Sequence, residues 1–261
     1  MPARRTILRA ALATTVALAA AACTQVSLAE QIAALMREAN QALVGKRYDE
    51  ALGKLVQVVR LDPKHWPAYV GMARAFIGKG AWGDAVKNAR EAFALAPSGQ
   101  DVVAVFAEAL IGGGKDALAA GRWSDAIGYL VDYIKLAPNS ASAYLDLGRA
   151  FLSNRQYSQA LDALLKGLGL AGQPGAPDRS EYLRTLLDGG RQAFQASDWS
   201  SAAGFLREYV KSDRGNVQAW LDLARSYWNA GDRTQALEAF RDVLKLAPTN
   251  AEALRFMLQQ R

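Results

Sequence analysis

The stretch GRWSDAIGYLVDYIKLAP, residues 121–138, stands in the sequence twice more, as GAWGDAVKNAREAFALAP at 80–97 and as GDRTQALEAFRDVLKLAP at 231–248. Looser copies are GKRYDEALGKLVQVVRLDP (45–63), NRQYSQALDALLKGLGLA (154–171) and SDWSSAAGFLREYVKSD (197–213). Upstream of each lies a second apolar stretch at 3.6-residue spacing, such as AYVGMARAFI (68–77) or AWLDLARSYW (219–228). The unit is therefore a pair of amphipathic helices. Self-similarity at a fixed period is the mark of stacked units that bury one face against the next.

Counted from the first helix, the six units begin at Ile32, Trp66, Ala107, Ala141, Leu183 and Val217. The fourth position is large: Leu35, Tyr69, Leu110, Tyr144, Leu186 and Trp220. The eighth is small (Ala39, Ala73, Gly114, Gly148, Gly190, Ala224), and the twentieth is alanine in all six (Ala51, Ala85, Ala126, Ala160, Ala202, Ala236). Small residues let paired helices approach, and the large ones fill the adjoining groove. Tyr48, Trp82, Trp123, Tyr157 and Trp199 share the seventeenth position and read as core. Pro63, Pro97, Pro138 and Pro248 stop the second helix, where Gly172 and Arg214 stand in the fourth and fifth units.

Two helices per unit, a 34-residue period and these landmarks resemble the tetratricopeptide repeat (TPR) family over about 32–250. The resemblance implies an all-α, right-handed superhelical TPR solenoid of six helix-turn-helix repeats. The units span 32–65, 66–99, 107–140, 141–174, 183–216 and 217–249, within 32–249, and 250–261 reads as a capping helix with a polar outer side. Successive starts lie 34, 41, 34, 42 and 34 residues apart, and Gly53, Gly128 and Gly204 share a slot in odd-numbered units alone. The chain thus reads as three copies of a 75-residue double repeat. The extra residues are expected to lengthen the first helix of the third and fifth units by two turns, about 10 Å at 1.5 Å per residue. AGQPGAPD (171–178) is a loop ahead of the second of these.

Residues 1–22 have the layout of an export signal, with Arg4, Arg5 and Arg9 ahead of an uncharged run from Ala10. Ala20-Ala21-Ala22-Cys23 resembles a lipobox, so the signal is read as ending before Cys23, the lipidation site, with 23–31 as a short tether. Cleavage after Ala29 at Ser27-Leu28-Ala29 is the alternative and gives a soluble periplasmic protein. Retaining residues 25–31 is what would give the first unit a long helix like those of units three and five. Thr24 lacks the acid usual for inner-membrane retention, which places the protein on the periplasmic face of the outer membrane. Arg4-Arg5-Thr6-Ile7-Leu8-Arg9 also resembles a twin-arginine motif, so the export route stays open between that and the general pathway.

The formal charge of +6 shrinks to a surplus of three without the leader's arginines, too little to argue for nucleic acid. With one cysteine and one histidine, His65, the chain has neither a zinc cluster nor an easily assembled Ser–His or Cys–His pair. GGGKD (112–116) fails the phosphate-loop pattern at Ala109 and Asp116. No catalytic residue, metal or cofactor is predicted.

In TPR proteins the concave groove is lined by first-helix residues. The ninth position here is basic in five units of six: Asn40, Arg74, Lys115, Arg149, Arg191 and Arg225. It runs between apolar rows at the fifth (Met36, Val70, Ile111, Leu145, Leu187, Leu221) and twelfth (Leu43, Ile77, Leu118, Leu152, Phe194, Trp228). Asp146, Asp188 and Asp222 stand three residues before their arginines. Each pair reads either as a solvated i,i+3 contact or as a carboxylate orienting a guanidinium toward a guest, and these carboxylates are expected to stay ionised. The family's lysine–asparagine carboxylate clamp is incomplete, since Met36 stands where its lysine would.

These features predict a non-catalytic scaffold whose groove, about 50 Å long if six first helices stand about 10 Å apart, holds an acidic and apolar segment of an envelope protein. Trp228 and Phe194 are the expected anchors. A self-assembling homo-oligomer and a binder of an anionic envelope polymer are the alternatives.

Overall fold

The computed structural model describes residues 27–172 and 176–258. Residues 1–26, with Cys23 and the expected export signal, and residues 173–175 and 259–261 lie outside them. All regular structure among the described residues is helical: α1 (Leu28–Val44), α2 (Tyr48–Leu61), α3 (Trp66–Gly78), α4 (Trp82–Leu95), α5 (Gln100–Ala119), α6 (Trp123–Leu136), α7 (Ala141–Ser153), α8 (Tyr157–Leu170), α9 (Arg179–Gln195), α10 (Trp199–Ser212), α11 (Val217–Asn229), α12 (Arg233–Leu246) and α13 (Ala251–Leu258). The chain divides into two compact units, Met1–Val105 and Phe106–Arg261. The fold is an all-α TPR solenoid, and each unit is built from the same helix pair.

The turn inside each pair is one device used six times. Position fifteen takes a left-handed backbone, at Lys46 (φ 55°), Gly80 (71°), Gly121 (71°), Arg155 (58°), Ser197 (61°) and Gly231 (86°). The next N–H then donates to the carbonyl five residues back, Arg47 to Ala42 and Gln156 to Phe151 among them, at 2.8 and 2.9 Å. This closes the first helix as a Schellman motif and satisfies carbonyls that its end would orphan. The second helix always starts two residues after the turn, at the aromatic position or at Arg233, and always runs 14 residues.

Packing explains the small residues. All six alanines at the twentieth position are 0% exposed. A Cβ added at Gly148 would lie 2.6 Å from Leu164 Cγ, one at Gly190 2.7 Å from Leu206 Cγ, and one at Gly114 2.9 Å from Leu130 Cγ. The glycines therefore set how near each second helix comes. Gly204 does the same between pairs, for its added Cβ would meet Leu161 of α8 at 2.9 Å.

First helices alternate in length. α1, α5 and α9 have 17, 20 and 17 residues, against 13 in α3, α7 and α11. The expected two-turn extension holds for α5, whereas α9 gains a single turn. α9 begins only at Arg179, where Asp178 caps it by accepting from Ser180 N–H. α1 begins with a capping box: Ser27 Oγ accepts from the Glu30 N–H, and the Glu30 carboxylate accepts from Ser27 N–H.

α13 closes the second unit by burying Ala253 and stacking Phe256 on Phe240, 4.5 Å between centroids. Its outer side is not the polar one expected. Leu254 and Leu258 are 41% and 63% exposed there, because this helix has no second helix beside it among the described residues.

Candidate functional site

The basic ladder exists, and its partners are mostly on the neighbouring repeat. In the first unit Arg74 on α3 reaches Asp101 at the start of α5, 3.8 Å. In the second unit Arg149 on α7 reaches Glu181 on α9 at 3.2 Å, and Arg191 on α9 reaches Asp222 on α11 at 3.8 Å. Arg225 on α11 grips Glu252 on α13 through both carboxylate oxygens, 2.7 Å from Nε and 2.5 Å from the terminal nitrogen. In four of the six repeats position nine thus bridges one first helix to the next. With the arginine side chains 35–49% exposed, each bridge stabilises by roughly 0.2–1 kcal/mol, the bidentate one at the upper end.

The i,i+3 acids fit only in part. Arg149 lies 3.7 Å from Asp146 and Arg225 3.2 Å from Asp222. Arg191 instead passes over its own Asp188 to Asp222 of the following repeat. At Asp146 burial, and not the neighbouring arginine, sets the direction of the shift. Burial pushes its pKa up, against the pull of Lys115 on the previous repeat and of Arg149. Glu252 behaves oppositely, because the Arg225 hydrogen bond pulls its pKa down against its burial.

The apolar rows are less open than the sequence pattern implies. Leu145 and Leu221 are 2% and 6% exposed, so they belong to the core and present nothing to a guest. Ile111, Leu118 and Leu187 are half-buried, as is Phe194, which packs edge-on against Trp199 at 4.9 Å. Trp228 has Phe256 at 4.8 Å on one side and the Arg233 guanidinium 3.6 Å over its ring. Arg233 holds the slot that is aromatic in the other five repeats, so the Phe194–Trp199 pair becomes a cation–π pair in the last. Both expected anchors are internally occupied.

What the second unit does offer is a cleft of about 500 Å³ between α7 and α9. Its walls are Arg149 and Ser153 from α7 and Glu181, Arg184, Asp188 and Gln192 from α9. Arg149 and Glu181 are tied to each other across it. Arg184, Asp188 and Gln192 have no side-chain partner among the described residues, which leaves a donor, an acceptor and an amide facing the same space. Asp188 stands out in the sequence only as the presumed partner of Arg191, while Arg184 and Gln192 fall at the second and tenth positions, whose residue types vary among the units. Among the described residues no cluster of His, Cys, Asp and Glu could hold a metal, and no helix is long and apolar enough to cross a membrane.

Comparison with known proteins agrees with this architecture. Tetratricopeptide repeat models match residues 112–177 and 193–259, together just over half of the chain. No curated protein matches the sequence. Among solved structures, MamA 41-end from Desulfovibrio magneticus RS-1 is 16% identical over 86% of this chain and 99% of its own, with a TM-score of 0.40. YrrB, described as a TPR protein with an unusual peptide-binding site, is 15% identical over 77% and 96%, TM-score 0.39. The pilF protein of Pseudomonas aeruginosa is 18% identical over 89% and 99%, TM-score 0.35. Superpositions this loose carry no detail of those proteins over to this one. Six like helix pairs, buried alanines at one position and two matching repeat models place the chain in the tetratricopeptide repeat family, whose fold is generally a non-catalytic scaffold for protein interaction.

Proposed function

We propose that this protein is an adaptor of the bacterial envelope, lipid-anchored at Cys23 to the periplasmic face of the outer membrane, that holds an extended segment of a partner protein between α7 and α9. The observation behind this reading is the polar make-up of that cleft. An extended chain carries unpaired backbone donors and acceptors that need partners. Asp188 can take N–H groups, while Gln192 serves either kind and Arg184 meets a carbonyl or an acidic side chain. Because Arg149, Arg191 and Arg225 are already bridged to acids, Arg184 is the base that gives the partner's acidic residues a place. Lys115, Leu187, Phe194 and Trp228, also expected on the groove, are not among the residues lining this cleft. The Ser27–Glu30 box supports cleavage before Cys23, since cleavage after Ala29 would remove the cap of α1.

The test is a photo-reactive residue at Gln192 in the native host, with adducts identified by mass spectrometry, beside the same probe in an Arg184→Glu background. One discrete envelope protein, lost in that background, is expected. Adducts with this chain alone would instead support self-assembly. Adducts indifferent to Arg184→Glu would remove the cleft from the account. Loss of membrane fractionation in Cys23→Ser tests the anchor separately.

A further inference from the structure

A second cleft of about 530 Å³ lies on the other face of the second unit, between α10 and α12. Gly204 lets α10 close on α8, whereas the matching slot in α12 is Glu238, and among the described residues α10 and α12 have no comparable packing. The gap is floored by Trp220, Leu223 and Tyr227 and edged by Leu246, which is 43% exposed. Trp220 Nε1–H donates to the Arg214 carbonyl at 3.0 Å, so its polar edge is satisfied and its ring is left as apolar surface.

One wall is basic. Arg207 and Lys211 stand one turn apart on α10, and Arg214 follows just past its end. A single acid, Glu208, serves both Arg207 (3.4 Å) and Lys211 (2.8 Å), and Arg214 has no acidic partner among the described residues. The facing wall on α12 pairs its Lys245 with Asp242 at 2.6 Å and adds Glu238.

We propose that this cleft is a second docking site, for an amphipathic helix whose apolar stripe is bordered on one flank by carboxylates. A helix is favoured because both walls are helices whose backbone groups are already paired. A guest here gains no main-chain hydrogen bonds and must satisfy its own, which a helix does and a strand does not. The flank is acidic because the surplus of base lies along α10. The two clefts then take different guests, an extended segment on the polar face and a helix on the apolar one, so one molecule joins two partners. The helix site stands whether or not the first reading holds.

The probes are synthetic peptides of about eighteen residues, long enough to populate a helix. One carries a leucine stripe flanked by glutamate, one the same stripe flanked by lysine, and one a central proline in the glutamate series. Binding to the full chain is read by fluorescence anisotropy, with anionic vesicles titrated in parallel. The glutamate peptide is expected to bind at least about fivefold more tightly than the lysine peptide, and the proline peptide to fail. Arg207→Glu with Lys211→Glu should reverse the order of the charged peptides, while Arg184→Glu should leave it unchanged. No binding of the glutamate peptide at millimolar concentration, equal binding of the two, or indifference to the reversal would overturn the proposal. Vesicle binding that shares the same dependence on Arg207 and Lys211 would also overturn it, in favour of a membrane surface.

Discussion

The bridge between Arg225 and Glu252 is the place where the ladder can be measured most directly. It joins α11 to α13, an eight-residue helix that would not persist alone and is otherwise held by Ala253 and Phe256. The pair is bidentate and about one-third exposed, which puts its coupling near 1 kcal/mol, the top of the range for surface pairs. A double-mutant cycle of Arg225→Gln and Glu252→Gln, read by hydrogen exchange at the α13 amides, should show either single variant exchanging about fivefold faster. The double variant should be little worse than either alone. The pH dependence fixes the sign. Glu252 has a lowered pKa in the folded protein, so its contribution is present above the ordinary glutamate value and is lost as pH falls through the lowered one. Opening of α13 should therefore increase below about pH 4.5, and Glu252→Gln should remove that dependence. Strictly additive effects of the two substitutions would mean that the bridge stabilises nothing and that aromatic packing alone holds α13.

Gly148→Ala should lower stability by about 1 kcal/mol. The new methyl would meet buried Leu164, at a cost of about 1–3 kcal/mol, and alanine's better helix propensity returns about 1. Thermal melting checks this, an unchanged or raised midpoint being the contrary result. Lys46→Gly, Arg155→Gly and Ser197→Gly should each stabilise by about 0.5–1 kcal/mol. Each relieves a left-handed backbone costing about 1–2 kcal/mol, less glycine's added chain entropy. A destabilised triple variant in urea unfolding would refute that. Tyr182 is buried, donates to the Ala141 carbonyl at 2.5 Å and has its pKa pushed up to about 12, chiefly by burial. Its contribution is thus present below the ordinary value of 10 and lost as pH rises from there toward 12. Tyr182→Phe should flatten the fall in urea midpoint over that window, and parallel curves would show that Tyr182 does not titrate with unfolding.

Helix pairs, their phase and the buried alanines were legible because each is a repeated local pattern, and six copies correct the noise of any one. The alternation of first-helix lengths was legible from spacing, but its size at α9 was not, because a loop and a helix of equal residue count leave the same gap between landmarks. The turns at Lys46, Arg155 and Ser197 escaped notice. Their residue types give no left-handed signal, and only alignment with Gly80, Gly121 and Gly231 reveals it. The candidate site fared worst. The ladder at position nine was visible, but Glu181 and Glu252, which bridge to it, sit at different offsets in their repeats. A ladder whose rungs are supplied irregularly cannot be recognised as internal from one strand of the pattern. Leu145 and Leu221 were misread for a related reason: neighbouring repeats cover the apolar row more deeply in the short first helices than in the long ones.

The occurrence of a long first helix in only every second repeat has a consequence for how this molecule changes length. Two adjacent repeats, and not one, are its interchangeable brick. Deleting residues 141–216 would bring Val217 to the place of Ala141, a short first helix behind a long one as before. Deleting 141–174 alone would set α9 directly behind α5, two overhanging helix starts abutting with no short neighbour to separate them. Viable length variants should therefore come in steps of about 75 residues, the spacing between alternate repeats.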